Sequence, residues 1–308
     1  MVFVIHANLD AEARWAGRAL PGGIAARASY YAALLAALAP DDATEVEVWA
    51  PAAIDASRLV PDPAWRVPTM RVGTPPRADL VWASLDGKAA NDKRLALRVA
   101  TELGVALAGT RVVSSVAELD ATVPATEWVA KAPWSTAGRD RLLGRGPLAA
   151  DQRTRASRLL ETFGALIVEP WCDRIMDVGV CGTVDGSVHV EAPHGLVTDR
   201  FGTFSAIELT PPELTDAELS SLARAAVAAG QAIAALGHRG AFAIDAFVYR
   251  DGDARRLHPL CEINARQTFG TVARAFGRCG ARALYLASPP PEARPLIAPA
   301  DGVGAWIA

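Results

Sequence analysis

Near its C-terminus the chain reads Ala241-Phe242-Ala243-Ile244-Asp245-Ala246-Phe247-Val248-Tyr249, then Asp251-Gly252-Asp253, then Leu260-Cys261-Glu262-Ile263-Asn264-Ala265-Arg266. Apolar runs on either side of a glycine-containing turn predict a hairpin over 241–249 and 256–263. Strand side chains alternate between faces, so Asp245 and Phe247 share one face, and Glu262 and Asn264 share one face of the partner strand. A turn near 251–254 then brings Asp245 close to Glu262 and Asn264. Two carboxylates and an amide oxygen make a hard-oxygen set suited to Mg²⁺, which takes one or two carboxylates and fills its other positions with phosphate and water. Two buried carboxylates with no cation would repel each other and suffer desolvation. Spacing alone also permits a plain, exposed acidic strand face. The apolar flanks 241–244 and 260–261, Gly240 ahead of the strand, and Arg266 as a bidentate phosphate donor favour the buried cation site.

Working outward, residues 1–88 read as a small α/β unit with strands at 2–5, 45–49 and 79–83, an alanine-rich helix at 28–38, and an irregular proline-rich stretch at 51–76. Asn91 is placed to cap a helix that runs to Leu103 and stops at Gly104. Ser115-Val116-Ala117-Glu118 is a capping box, 127–131 a strand, 132–146 a loop rich in glycine and arginine, and 151–163 an amphipathic helix before a short strand at 165–169. Asp185-Gly186 marks a second hairpin between 177–183 and 187–191. Strand-like alternation follows over 195–208, then a helix opened by Thr215-Asp216-Ala217-Glu218, and a further helix near 271–278. The segment 289–308 is expected to be a peripheral, proline-rich tail. The sum is an α+β body with antiparallel hairpins behind an α/β unit, unlike the βαβ rhythm of a Rossmann domain.

The bulk properties narrow the function classes. With 308 residues and a formal charge of −3, the chain has no whole-molecule attraction to nucleic acid or anionic membrane. No apolar window is long enough for a membrane span, and the N-terminal Met1-Val2-Phe3-Val4-Ile5 is too short for a signal segment. Cys172, Cys181, Cys261 and Cys279 form no C-x-x-C pair, which reads as reduced thiols of a cytoplasmic protein. His189 and His194 lack an i+4 partner for zinc, and no Walker or Gly-x-Ser-x-Gly motif occurs.

Lys131 closing the apolar strand 127–131, the glycine-containing loop after it, Val168-Glu169-Pro170-Trp171, and Glu262-x-Asn264-x-Arg266 together resemble the ATP-grasp superfamily over about residues 89–280. The resemblance implies an ATP-grasp domain over 89–288, with α+β lobes at about 89–167 and 168–288 gripping ATP behind a pre-ATP-grasp domain at 1–88. It implies ATP as nucleotide, Mg²⁺ (Mn²⁺ as the alternative ion) on Asp245, Glu262 and Asn264, and Lys93 and Lys131 on the phosphates. Asp245 to Glu262 is a longer gap than the family pattern, which a longer turn at Asp251-Gly252-Asp253 would absorb. Ser135, Gly138 and Arg139 resemble the loop that closes over the phosphates. Glu169, Pro170 and Trp171 resemble the hinge at the adenine edge, Asp177 the acid near the ribose, and Phe247 the residue beneath adenine, a position where it also serves as plain core. Arg266, Lys131 and Arg139 are the expected catalytic residues. Arg141, Arg145, His194 and Arg200 remain as candidates for an anionic acceptor. The activity implied is ligation of a carboxylate to an amine, an amino acid or small peptide-like substrate, through an acyl phosphate, with release of ADP and phosphate. A phosphotransferase and a non-catalytic nucleotide-binding protein remain as alternatives, and the family allows a homodimer.

Overall fold

The computed structural model describes residues 1–135, 140–199 and 202–308, and among these the strands form three sheets. The first unit runs β1 (Val2–His6), α1 (Ala11–Trp15), α2 (Gly22–Ala32), β2 (Glu45–Ala50), β3 (Thr69–Val72) and β4 (Leu80–Val81). Its strands pair in parallel in the order β3-β2-β1-β4, so part of the stretch expected to be irregular supplies a strand. The expected helix at 28–38 starts earlier, at Gly22, and tightens into a 3₁₀ segment over Ala33–Leu38.

The second unit runs α3 (Lys93–Glu102), β5 (Arg111–Val113), α4 (Val116–Thr122), β6 (Glu127–Lys131), β7 (Arg141–Arg145), α5 (Ala150–Phe163) and β8 (Leu166–Pro170). It forms an antiparallel sheet in the order β5-β8-β6-β7. Asp92, not Asn91, caps α3 by accepting from Arg94 N. Asn91 is committed elsewhere: its Oδ1 accepts from Ala265 N at 2.9 Å and its Nδ2 donates to Ala265 O at 3.3 Å.

The remainder runs β9 (Asp173–Asp185), β10 (Ser187–Val190), β11 (His194–Thr198), β12 (Phe204–Glu208), α6 (Asp216–Ala235), β13 (Gly240–Asp251), β14 (Ala254–Asn264), α7 (Phe269–Arg278), β15 (Ala283–Tyr285), β16 (Arg294–Ala300) and β17 (Val303–Ile307). Eight of these strands follow one another as β14-β13-β9-β11-β12-β15-β17-β16, with β10 paired to β9. Thr215 and Glu218 form the expected capping box of α6. That helix lies close on the sheet because Gly230 has no side chain: a Cβ there would meet Val188 Cγ1 at 2.4 Å.

The C-terminal segment is not peripheral. Leu296, Ile297, Ala305 and Ile307 are fully buried and join the core that holds Ile5, Leu34, Leu35 and Phe276. Proline is compatible with an edge strand, where N–H groups need no ladder partner. β16 is such an edge, pairing with β17 in the sheet while Leu296 O accepts from Val60 N. The C-terminus thereby welds the large sheet to the N-terminal unit.

Candidate functional site

The register of the large sheet assembles the expected acids. Asp245 stands directly opposite Glu262, and Ala243 opposite Asn264, so Asp245, Glu262 and Asn264 project from one face. The same row continues through Gly179 on β9 to His194 on β11. The extra spacing between Asp245 and Glu262 is not taken up in the turn, which is tight, with Asp251 paired to Ala254. Instead the register shifts between Asp245 and Phe247, where Phe247 pairs with His258. Such a bulge bends a strand and re-aims its side chains. Here it contains Pro259, Leu260 and Cys261, and Cys261 Sγ accepts from Lys131 Nζ at 3.6 Å.

Electrostatically the row is frustrated. Burial, and next the charge of Glu262, push the Asp245 carboxyl up to about 7, against the pull of Arg266 and a 3.3 Å hydrogen bond from Asn264 Nδ2. A divalent cation would relieve that repulsion, so the residues present fit one. Ligation through Asn264 Oδ1 requires the amide to turn over, since Oδ1 now accepts from Arg266 at 3.0 Å. Among the described residues no group of three or more His, Cys, Asp or Glu side chains could hold a metal. The candidate set is therefore two carboxylates and an amide, which favours a hard ion over zinc.

Cations surround this row, each facing an acid. Lys93 is buried, with Nζ 3.0 Å from Glu262 Oε1 and donating to Ser135 O at 3.2 Å. Lys131 pairs with Glu169 across the β6–β8 ladder. Burial alone would lower the Lys131 pKa, but Cys261 and Glu169 outweigh it and hold the ammonium well above its ordinary range. Arg266 Nε lies 2.9 Å from Glu12 Oε1, and its guanidinium stacks 5.3 Å from the Trp82 ring. The arrangement presents two ammonium groups and a guanidinium over a carboxylate pair, which is what a transferring phosphoryl group requires.

Solved structures of the same architecture exist. The whole chain superposes on phosphoribosylamine–glycine ligase from Thermotoga maritima with a TM-score of 0.59 at 13% identity, covering 90% of that chain. It also superposes entirely on N5-carboxyaminoimidazole ribonucleotide synthetase from Thermus thermophilus, with a TM-score of 0.57 at 13% identity over 93% of that chain. This is the ATP-grasp fold. The chain spans 48% of the length of a carboxyaminoimidazole ribonucleotide synthase from Aspergillus clavatus, to which it is 18% identical with a TM-score of 0.46. No protein-family profile and no curated protein matches the sequence.

The residues expected at a hinge and near a ribose are placed as follows. Glu169 and Pro170 end β8, and Trp171 follows with its N–H donated to Glu127 O at 3.0 Å. Pro170 has no N–H, so the adenine-edge donors expected of 169–171 are largely spent, which leaves the hinge carbonyls and Cys172 N–H. Asp177 lies beside Phe247 across β9–β13, accepting from Arg174 at 2.7 Å and from Thr198 at 2.5 Å. Phe247 is buried, with the Arg174 guanidinium 4.1 Å from its ring centroid and His258 on the ring at 5.1 Å. Ser135 stands at the base of the loop and touches Lys93 through its carbonyl. Gly138 and Arg139, like Arg200, lie outside the described residues.

Of the other candidates, Arg141 lies 5.9 Å from the Trp171 ring, which the Arg174 guanidinium also approaches, at 5.4 Å. His194 is buried over Gly179, and burial, then Arg274, push its imidazole down to about 3. Sequence reasoning missed Arg174, Glu12 and Asn91. Arg174 carries a faint local signal, its i,i+3 spacing to Asp177. Glu12 and Asn91 carry none, because their partners are more than 170 residues away in the chain and only the tertiary fold brings them together. No helix among the described residues is long and apolar enough to cross a membrane.

Proposed function

We propose that this protein is an ATP- and Mg²⁺-dependent ligase that activates a small carboxylate as an acyl phosphate and joins it to an amine. The observation that carries the reading is the row Asp245–Glu262 with Asn264, overhung by Lys93, Lys131 and Arg266. Asp245, Glu262 and Asn264 would hold Mg²⁺, which when bound would supply charge neutralisation to phosphate oxygens. The chain's own residues do the rest. Lys93 leaves Glu262 and Lys131 leaves Glu169 to meet phosphate oxygens, while Arg266 holds the carboxylate and the transferred group.

In the first step a carboxylate oxygen forms a bond to the γ-phosphorus, and the bond from that phosphorus to the bridging oxygen breaks, releasing ADP. In the second, an amine lone pair attacks the acyl carbon, inorganic phosphate leaves, and the amine loses a proton. No protein nucleophile is required, so positioning and electrostatics carry the catalysis. Exclusion of water from the site would keep it from hydrolysing the acyl phosphate. Solved proteins of the same fold named as a ligase and as synthetases support ligation over simple phosphotransfer.

The test pairs small carboxylic acids with amines and follows ADP and product mass. A ligase releases ADP in proportion to amide formed and needs both partners. Stable phosphorylated product from a single acceptor would show a phosphotransferase instead.

A further inference from the structure

Phe247, the residue expected beneath the base, is 2% exposed, and Arg174 covers it. The guanidinium carbon stands 4.1 Å from the ring centroid. Stacked atoms sit about 3.5–4.0 Å apart, so no base fits between the two. The Arg174 side chain is nonetheless 26% exposed, and it lines a cavity of about 670 Å³ with Trp171, Cys172, Asp177, Leu196 and Thr198. That volume is within the range of small-ligand pockets, about 300–1,000 Å³. Cys172, whose N–H is the hinge donor left over, is in the same wall. The guanidinium is also fixed at its edge. Across β9–β13, Asp177 stands opposite Phe247 and Met176 opposite Val248, but Arg174 stands opposite Tyr249. Ile175 is therefore an extra residue, and one extra residue reverses the alternation of strand side chains. Arg174 and Asp177, three apart, so reach the same face. Asp177 accepts from Arg174 Nη1 at 2.7 Å and from Thr198 Oγ1 at 2.5 Å, one on each carboxylate oxygen.

From this we infer that Arg174 is the platform on which the nucleotide base stacks, and that Asp177 is its positioning residue. These roles replace the ones expected of Phe247 beneath the base and of Asp177 at the ribose. The inference rests on the reading of this cleft as an ATP site and names its base contact. A guanidinium is planar, delocalised and more weakly hydrated than an ammonium, and it stacks on aromatic faces. The pair with Asp177 occupies the guanidinium edge and leaves its cavity side open to a base. Phe247 then acts from below, as the aromatic floor that keeps the guanidinium flat. Stacking suits this hinge in particular. With Trp171 N–H donated to Glu127 O and no N–H on Pro170, few edge donors remain, so the face of the base carries its recognition.

Calorimetric titration of the full chain with ADP, without turnover, tests the platform, and a thermal melt reports that each variant is folded. Arg174→Ala should weaken ADP binding by at least about tenfold, the loss of one base stack. Arg174→Lys keeps the charge and the partner for Asp177, and so the fold, but offers no flat face. It should bind ADP within about threefold of Arg174→Ala. Asp177→Asn should weaken ADP in the wild-type background and change little in the Arg174→Ala background, because it acts through the guanidinium. Unchanged or tighter ADP binding in Arg174→Ala would overturn the platform, showing that the guanidinium merely fills the space over Phe247. Wild-type affinity in Arg174→Lys would overturn it too, since charge alone would then suffice. Equal losses from Asp177→Asn in both backgrounds would overturn the positioning role and return Asp177 to the ribose. Each of these results leaves the ATP reading standing. A wild-type protein that does not bind ADP would overturn that reading, and the platform with it.

Discussion

Lys93 Nζ lies 3.0 Å from Glu262 Oε1, so the lysine assigned to the nucleotide and the carboxylate assigned to the cation meet each other. Lys93 is buried, at 8% exposed, and Glu262 half-buried, so their pairing is little screened by water. Glu262→Gln keeps the shape of the side chain and removes the charge. ATP turnover should fall by at least about a hundredfold, as for loss of one electrostatic group at a transition state, while the melting temperature changes little. Initial-rate ADP release and a thermal melt check this. Retained turnover would remove Glu262 from the metal set.

Asp245 should show the opposite balance between stability and activity. Its carboxyl is raised from 3.8 to about 7, so the folded protein binds a proton there that the unfolded chain releases. Its charge therefore costs stability above about pH 4, and the cost grows until about pH 7 and then levels off. Asp245→Asn should raise the melting temperature of the nucleotide-free protein, more at about pH 8 than at about pH 5, and abolish turnover. Equal stabilisation at both pH values would mean that the carboxyl is not buried as described.

Asn91 should act through Ala265. Its amide pairs with both backbone groups of the residue between Asn264 and Arg266. Asn91→Ala strands a buried N–H and should cost about 2–3 kcal/mol in denaturant unfolding. It should also lower kcat more than it raises KM for ATP, because Asn264 and Arg266 lose their fixed orientation. An unchanged kcat would confine Asn91 to a structural role.

His194 and Gly179 should be coupled. A Cβ at Gly179 would stand 2.4 Å from His194 Nε2, closer than real contacts permit. Gly179→Ala should destabilise by about 1–3 kcal/mol through overpacking. His194→Ala opens space, and the double variant should recover part of the Gly179→Ala loss, an interaction of about 0.5–3 kcal/mol in a mutant cycle. Additive losses would show that the imidazole moves aside freely.

The sequence carried the acid row, because strand periodicity and a turn signal are local. Asp245, Glu262 and Asn264 fall on one face whichever way the hairpin is bent, and Ser115 and Thr215 likewise mark the starts of their helices, although Glu118 reaches back to Ser114 N and only Thr215 with Glu218 closes a full capping box. Lys131 was legible as a charge closing an apolar strand. The extra spacing after Asp245 was visible, but its location was not: a bulge depends on what each side chain meets across the sheet, and here it turns Cys261 toward Lys131.

The rest was decided by tertiary structure. Pro295 and Pro299 made the C-terminus look peripheral, yet an edge strand tolerates them, and burial of Leu296, Ile297 and Ile307 binds the segment into the first unit's core. Glu12 joins Arg266 from the far end of the chain, and Arg174 covers Phe247. Such pairs are fixed by where whole sheets pack, and no local pattern records that. The chemistry at the cation row was therefore written in a short stretch of sequence, whereas the Glu12–Arg266 pair beside it exists only once the first and last units meet.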